Sequence, residues 1–404
     1  MSVTSRPSSR PAATLEERTE DASPLAPIAI DRREAAGAVA DLGVMLPIAA
    51  ALIVVNGLSA TAVLLPAGLL YVAAGLIYRL PVPVQPLKAF GAIAIAQGLG
   101  TDVIAAGALL MGSVFLVLAG TGLLDRAARA FPRPLIRGVQ LTVGLLFLEI
   151  AWGLVTDPPE AFAAHALPTA VALATAALAV VALLALRRRL HISLVLVTAG
   201  TLVMLVAASG QIAVGPSALV VPAIDAETLL TALTVLVLPQ VPLSFANSCL
   251  ATADAAHVYY GDAARRVTPA RLASTLGIAN LAAGAIGGMP CCHGAGGMTA
   301  HRAFGARSGG APILIGTGLV SVALALGAGL GALLAAFPLP ILAAMLAVAG
   351  VLHIGLLRDL HSRESWLVAL VVGALGVTTN LTIGLAVGLL IWWLPRAVQR
   401  LRTT

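Results

Sequence analysis

Apolar stretches of about twenty residues, separated by short polar loops, fill most of the chain. Residues 167–186 and 313–336 each run without a single charge. That length carries a helix across the roughly 30 Å of hydrocarbon in a bilayer. Within the stretches Leu, Ala and Gly follow one another without the every-second-residue alternation of a membrane β-strand, so the pattern predicts helices and not a barrel. About fourteen segments can be drawn: 37–55, 59–78, 83–99, 103–122, 134–155, 168–186, 191–209, 228–252, 269–288, 290–304, 311–335, 338–357, 365–379 and 381–397. They are numbered 1 to 14 below.

Two segments break the pattern. Segment 3 opens on Leu80-Pro81-Val82-Pro83-Val84-Gln85-Pro86-Leu87-Lys88, and the prolines forbid a helix before Pro86. Segment 10 opens on Gly287-Gly288-Met289-Pro290-Cys291-Cys292-His293-Gly294. Each predicts an extended piece leading into a half-helix. Irregular backbone at membrane depth survives where it is buried in protein or lines a cavity. Both stand third in a half of seven segments, and matched interruptions of this kind mark a transporter's binding site. Seven segments per half make the second half inverted relative to the first. Segments 1 and 8 also match loosely, through Pro47 and through Pro239 and Pro242.

Charge sorts the loops. With the N-terminus cytoplasmic, the inside connections hold the arginines, among them Arg79, Arg133, Arg137, Arg271, Arg307 and Arg358. The outside ones hold Asp102, Asp157, Glu160, Asp225 and Glu227 and no Lys or Arg. That is the positive-inside asymmetry, and a wrong segment count would scramble it. Both termini are then expected in the cytoplasm.

Composition agrees: 59% of residues are hydrophobic and 10% charged, against about 25% charged in soluble domains. The net charge of +6 is spread over many loops, which argues against a nucleic-acid partner. Residues 1–35 are polar, lack an apolar signal-peptide core and read as a disordered cytoplasmic tail. Three cysteines, Cys249, Cys291 and Cys292, make no disulfide framework. No P-loop appears, so ATP hydrolysis on this chain is not expected to drive transport. No nucleophile–base set appears either, so the expectation is no enzyme, no catalytic residues and no cofactor.

The candidate chemistry is that of an anion site. A half-helix N-terminus presents unpaired N–H groups and about half a positive charge. Two converging near the midplane suit an anion. Donors are expected around Leu87 and Lys88 and from Cys291 to Gly294, where glycine allows close approach of a ligand. Lys88 is the only lysine. It either supplies positive charge to the site or snorkels or pairs with an acid such as Asp41 or Glu149. Gln85, Gln240 and Asn247 are neutral hydrogen-bonding groups that either line the site or tie helices together. Asp41 and Glu149 are candidates for coupling, capping or pairing. Cys291-Cys292-His293 invites a metal reading, but adjacent cysteines and no second Cys/His pair make backbone presentation the better one, with no metal.

The strings Asp41-Leu42-Gly43, Val55-Asn56-Gly57-Leu58 and Pro83-Val84-Gln85-Pro86-Leu87-Lys88-Ala89 resemble a signature of the MOT-type molybdate transporters. Leu238-Pro239-Gln240-Val241-Pro242 and Met289-Pro290-Cys291-Cys292-His293-Gly294-Ala295-Gly296-Gly297 resemble a second. That family is related to the SulP sulfate permeases and lacks their C-terminal STAS domain. The resemblance implies an all-α membrane protein with the seven-plus-seven inverted repeat of uracil permeases. It implies a core domain from residues 36–125 and 226–336 and a gate domain from 126–225 and 337–404. It implies a substrate between segments 3 and 10, with segments 1 and 8 alongside, so that the expected binding residues are Gln85, Lys88, Gln240, Cys291, Cys292, His293 and Gly294. Gln240, where nucleobase carriers of this fold place a Glu, argues against a nucleobase. The expected function is alternating-access uptake of a tetrahedral oxyanion, molybdate first. A sulfate transporter, or an anion channel on the same scaffold, is the alternative. The expected setting is a bacterial inner membrane, with a homodimer by analogy.

Overall fold

The structure is a computed structural model and describes residues 27–39, 42–123, 126, 130–186, 192–208 and 212–403. Every expected segment holds a helix. The first half contains Leu42–Val54, Ala60–Tyr78, Lys88–Ala96, Thr101–Thr121, Arg133–Thr156, Thr169–Leu186 and Ile192–Ala207. Segment 8 is one helical rod over 226–260. The rest are Pro269–Ala285, Ala295–Ala303, Gly310–Ala335, Leu339–Gly355, Arg363–Thr378 and Leu381–Thr403. Among the described residues, eight helices are long and apolar enough to cross a bilayer. The chain is an integral, multi-pass membrane protein.

The two halves repeat each other's packing. Segment 2 packs on segment 11, and segment 4 on segment 9. In a seven-plus-seven repeat these are the same contact seen twice, since the second segment of each half meets the fourth of the other. Both crossings are made on glycine. A Cβ on Gly68 would lie 2.8 Å from the carbonyl oxygen of Gly316, and one on Gly112 would lie 2.8 Å from that of Gly277. Segments 5 and 12, each the fifth of its half, also meet glycine on glycine, with a Cβ on Gly144 2.8 Å from the oxygen of Gly350. Close backbone approach replaces the hydrophobic driving force that helices lack in lipid.

Segment 8 stays helical through two prolines. Pro239 and Pro242 cannot donate backbone hydrogen bonds. The helix widens to π-helical turns on either side, at Ala232–Val237 and Ser244–Ala251. Such widening often accompanies function. The rod begins at Asp225, whose side chain accepts from the Thr228 backbone N–H at 2.8 Å. The Thr228 donors hold that carboxyl below its usual range.

The arginine-bearing connections are tied to one another. Arg137 bridges to Asp359, with Nε 2.8 Å from Oδ1. Arg266 donates to the Ile77 carbonyl, and Arg396 to Glu364 at 3.0 Å. At the acidic end, Asp102 accepts from the Ala223 N–H and Ser59 meets Ser217 at 2.8 Å.

Residues 1–26 of the expected tail lie outside the described residues. Residues 27–35, assigned to the same tail from sequence, are docked. Asp31 caps a short helix, Arg32–Ala38, by accepting from the N–H groups of Arg33 and Glu34. Glu34 is buried. Its carboxylate accepts from the N–H groups of Arg307 (2.7 Å), Ser308 (2.9 Å) and Ala311 (3.0 Å). It thereby caps the start of segment 11, where helix dipole and orphan donors favour an anion. Glu34→Ala leaves three donors without their acceptor and is expected to cost about 3 kcal/mol or more. A fall in the thermal midpoint in detergent checks this, and Glu34→Gln should fall less.

Candidate functional site

The prolines of segment 3 prevent a helix, so residues 81–87 run extended. Gln85–Pro86, strand β1, pairs antiparallel with Cys291–Cys292, strand β2, with Gln85 opposite Cys292 and Pro86 opposite Cys291. The Leu87 N–H donates to the Pro290 carbonyl at 3.2 Å. Helix Lys88–Ala96 leaves from one strand and Ala295–Ala303 from the other. Two helix N-termini therefore meet at one crossing inside the bundle, where their partial positive charges add.

Beside the crossing is a cavity of about 390 Å³. Segments 3 and 10 contribute Gln85, Lys88, Cys292, Gly296 and Gly297 to its wall. Segment 8 contributes Gln240, Leu243, Asn247 and Ser248. The facing wall comes from segments 5 and 12, with Gln140, His353 and Leu356. The Lys88 ammonium donates to Gln85 Oε1 at 2.8 Å. Among the described residues no carboxylate lines this cavity. A cation held by a neutral amide beside two helix N-termini is arranged to receive a negative charge.

The other polar groups are held in place. Gln240 Oε1 accepts from the Phe90 N–H at 2.9 Å, and its Nε2 donates to Ser244 Oγ at 2.9 Å. Gln240 thus satisfies an orphan donor of the segment 3 half-helix and fastens segment 8 to it. A Cβ on Gly294 would lie 3.2 Å from both Asn247 Nδ2 and Gln85 Oε1. The bare glycine lets those two amides settle over the crossing.

Part of the sequence-based set lies elsewhere. The side chains of Cys291 and His293 lie in the scaffold and not on the cavity wall. In an extended strand successive side chains point to opposite faces, so Cys292 faces the cavity while Cys291 and His293 turn away. The Cys291 N–H is taken by Asn280 Oδ1 at 2.8 Å, and Asn280 Nδ2 donates to the Cys291 carbonyl at 3.1 Å. His293 is fully buried, with Nδ1 2.8 Å from the Pro83 carbonyl and Nε2 3.0 Å from Thr275 Oγ1. The N–H groups of Leu87 and Cys291 are spent on the scaffold, so they are not free for a ligand. Glu149 is exposed on the outer surface of segment 5, away from the cavity. Asp41 lies outside the described residues.

Gln140, Ser248, His353 and Asn280 were missed from sequence. His353 carried a readable signal, an ionisable side chain inside an apolar helix. Asn280 carried a weaker one, a lone amide in segment 9. Gln140 also accepts from Arg137 Nη1 at 2.7 Å. A second cavity of about 400 Å³, lined by Arg133, Arg137, Gln140, Asn247 and Asp254 among others, shares Gln140 and Asn247 with the first. It continues the site toward the arginine-bearing end.

A family described as "Molybdate transporter of MFS superfamily" matches residues 33–147 and 232–352. The chain belongs to this molybdate transporter family. The two matched blocks run over segments 1–5 and 8–12, the same five segments of each half, and contain every cavity residue named above except His353 and Leu356. Among curated relatives, Molybdate transporter 2 of Arabidopsis thaliana is 29% identical, over 89% of this chain and 86% of the relative. Molybdate transporter 1 of the same plant is 27% identical, over 88% and 86%. Molybdate transporter 1 of Chlamydomonas reinhardtii is 40% identical over 38% of this chain and 30% of its own. Among solved structures, the transmembrane domain of a cyanobacterium bicarbonate transporter, BicA, aligns with a TM-score of 0.63 at 17% identity, covering 89% of this chain and 96% of that one. Murine Slc26a9, an anion transporter in the inward-facing state, aligns with a TM-score of 0.66 at 16% identity, covering 92% and 69%. These likenesses show the inverted-repeat fold that the sequence resemblance implied.

Proposed function

We propose that this protein is a secondary transporter that carries molybdate into the cell by alternating access and catalyses no reaction. The observation that carries the reading is Lys88, a cation beside two helix N-termini in a cavity that no described carboxylate lines. The names of the plant and algal relatives supply the substrate. Segments 1–4 and 8–11 (residues 36–125 and 226–336) act as a core that carries the anion. Segments 5–7 and 12–14 (126–225 and 337–404) act as a gate. The cavity has segments 3, 8 and 10 on one wall and 5 and 12 on the other, so rocking of one group against the other opens and closes it. Gln85, Lys88 and Asn247 face the anion, while Gln240 and Gly294 position them. The neighbouring cavity supports a path toward the arginine face, which the positive-inside rule makes cytoplasmic. Both termini then lie in the cytoplasm, of a bacterial inner membrane on our reading, and the protein works as a homodimer.

Uptake of labelled molybdate into liposomes holding the purified protein tests this. Saturable uptake, displaced by unlabelled molybdate more strongly than by sulfate, is expected. Stronger displacement by sulfate reassigns the substrate, and movement of neither anion removes the reading. Large unitary currents in planar bilayers would make it a channel instead.

A further inference from the structure

Glu149 faces outward, so that carboxylate does not reach the cavity, and Asp41 lies outside the described residues. Among the described residues, the cavity wall carries Lys88, the Cys292 thiol and one imidazole, that of His353 of segment 12. Its Nδ1 lies 2.8 Å from the carbonyl oxygen of Ala349. A carbonyl can only accept, so Nδ1 carries the hydrogen and Nε2 of the neutral ring carries a lone pair. Nε2 has no hydrogen bond among the described residues. The ring is fixed edge-on to Phe147, with centroids 5.8 Å apart and planes at 85°.

The surroundings are simple electrically. Lys88 of segment 3 shares the cavity, and its charge acts on the imidazole. On segment 5, Arg137 is engaged by Asp359 and Gln140, and Glu149 points outward. On segment 8, Asp254 belongs to the neighbouring cavity. On segment 10, His301 is bonded to the Gly37 carbonyl and Arg302 to that of Tyr259. Arg358, Asp359 and His361 follow segment 12 at its arginine-face end. Segments 1, 6 and 7 also pack against segment 12. They carry no ionisable side chain within Leu42–Val54, Thr169–Leu186 and Ile192–Ala207.

We propose that His353 is the coupling residue, taking one proton on Nε2 when a divalent oxyanion binds beside Lys88, so that each anion crosses with one proton. This rests on the transport reading above. A dianion against Lys88 alone leaves a net negative charge at membrane depth, where it is poorly solvated and opposed by an inside-negative potential. A proton from the outer solution on the Nε2 lone pair completes the neutralisation. It also converts an acceptor that would repel an oxyanion oxygen into an N–H that donates to it. When the anion leaves on the inner side the proton leaves with it, the lone pair is restored, and the empty site returns with Lys88 alone charged.

The test is the steady-state accumulation ratio of labelled molybdate in liposomes, with the membrane potential clamped at zero and the outside made more acid. One proton per dianion sustains about tenfold accumulation per pH unit. His353→Gln is expected to hold a ratio of about one. The ratio is an equilibrium quantity, so slower turnover in the variant does not alter it. A variant that still accumulates like the parent overturns the proposal, and so does a parent that ignores the pH gradient while transporting molybdate. If the variant does not fold or does not turn over, calorimetry on the parent decides. Molybdate binding in two buffers of different ionisation enthalpy should report one proton taken up at neutral pH, and none taken up refutes the coupling. Absence of any molybdate or sulfate movement by the parent removes the transport reading, and this inference with it.

Discussion

Lys88→Met is expected to weaken the apparent affinity for molybdate about 10- to 100-fold, because a charge-assisted hydrogen bond worth roughly 1.5–3 kcal/mol is removed. Methionine keeps the length and the apolar stem of lysine, so packing around the half-helix is little changed. The thermal midpoint should not fall, since among the described residues the site holds its cation without a carboxylate on its wall. Among the described residues the cation donates to the neutral amide of Gln85. Loss of affinity without loss of stability is the signature of a charge kept for a ligand. Lys88→Arg keeps the charge but brings a larger planar head, and should recover part of the uptake. Half-saturation concentrations in liposomes for the three proteins check this. Unchanged uptake in the methionine variant would show that the anion does not sit against this ammonium.

Asn280→Leu should have the opposite signature. Asn280 is 1% exposed, and its amide completes both backbone groups of Cys291. Leucine occupies similar space and offers neither partner. Two buried backbone groups left unmade cost about 1–3 kcal/mol each, so about 2–6 kcal/mol in all. The loss falls on the crossing of the two half-helices, so stability and transport should fall together. Asn280→Asp keeps the acceptor for the Cys291 N–H and should lie between. Thermal unfolding of the purified variants, read with uptake, checks the pair. An unchanged midpoint in the leucine variant would mean that β1 and β2 hold each other without help from segment 9.

The contrast shows what the sequence made legible. Pro81, Pro83 and Pro86 announced an interrupted segment, because proline excludes a helix whatever surrounds it. Pro290 and the glycines after it announced the second. Their matching positions pointed to the crossing beside which the cavity lies, and the lone lysine lines that cavity. The functions of Gln240, Asn280 and His293 were not legible. A buried amide or imidazole either meets the ligand or serves the backbone, and the choice depends on which carbonyl or N–H lies within 3 Å. Here those partners are Phe90, Cys291 and Pro83, between 11 and 210 positions away. The split between Cys292 and its neighbours was within reach, because an extended strand alternates its faces. The facing wall was hidden for another reason. Gln140 and His353 sit on regular apolar helices, and only the packing of segments 5 and 12 against the crossing brings them to it.

The pairing of β1 with β2 also sets a clock for making the protein. The bond from Cys292 Sγ to the Pro86 carbonyl spans 206 positions of chain, and at about 5–20 residues per second the ribosome needs roughly 10–40 s to cover that distance. For that interval the extended stretch of segment 3 has left the ribosome while the strand that will cover it has not been synthesised. Bare backbone cannot rest against lipid. The first half therefore has to wait beside water or beside another protein, and whatever shelters residues 81–87 during insertion gives up its place to residues 290–292 as the second half arrives.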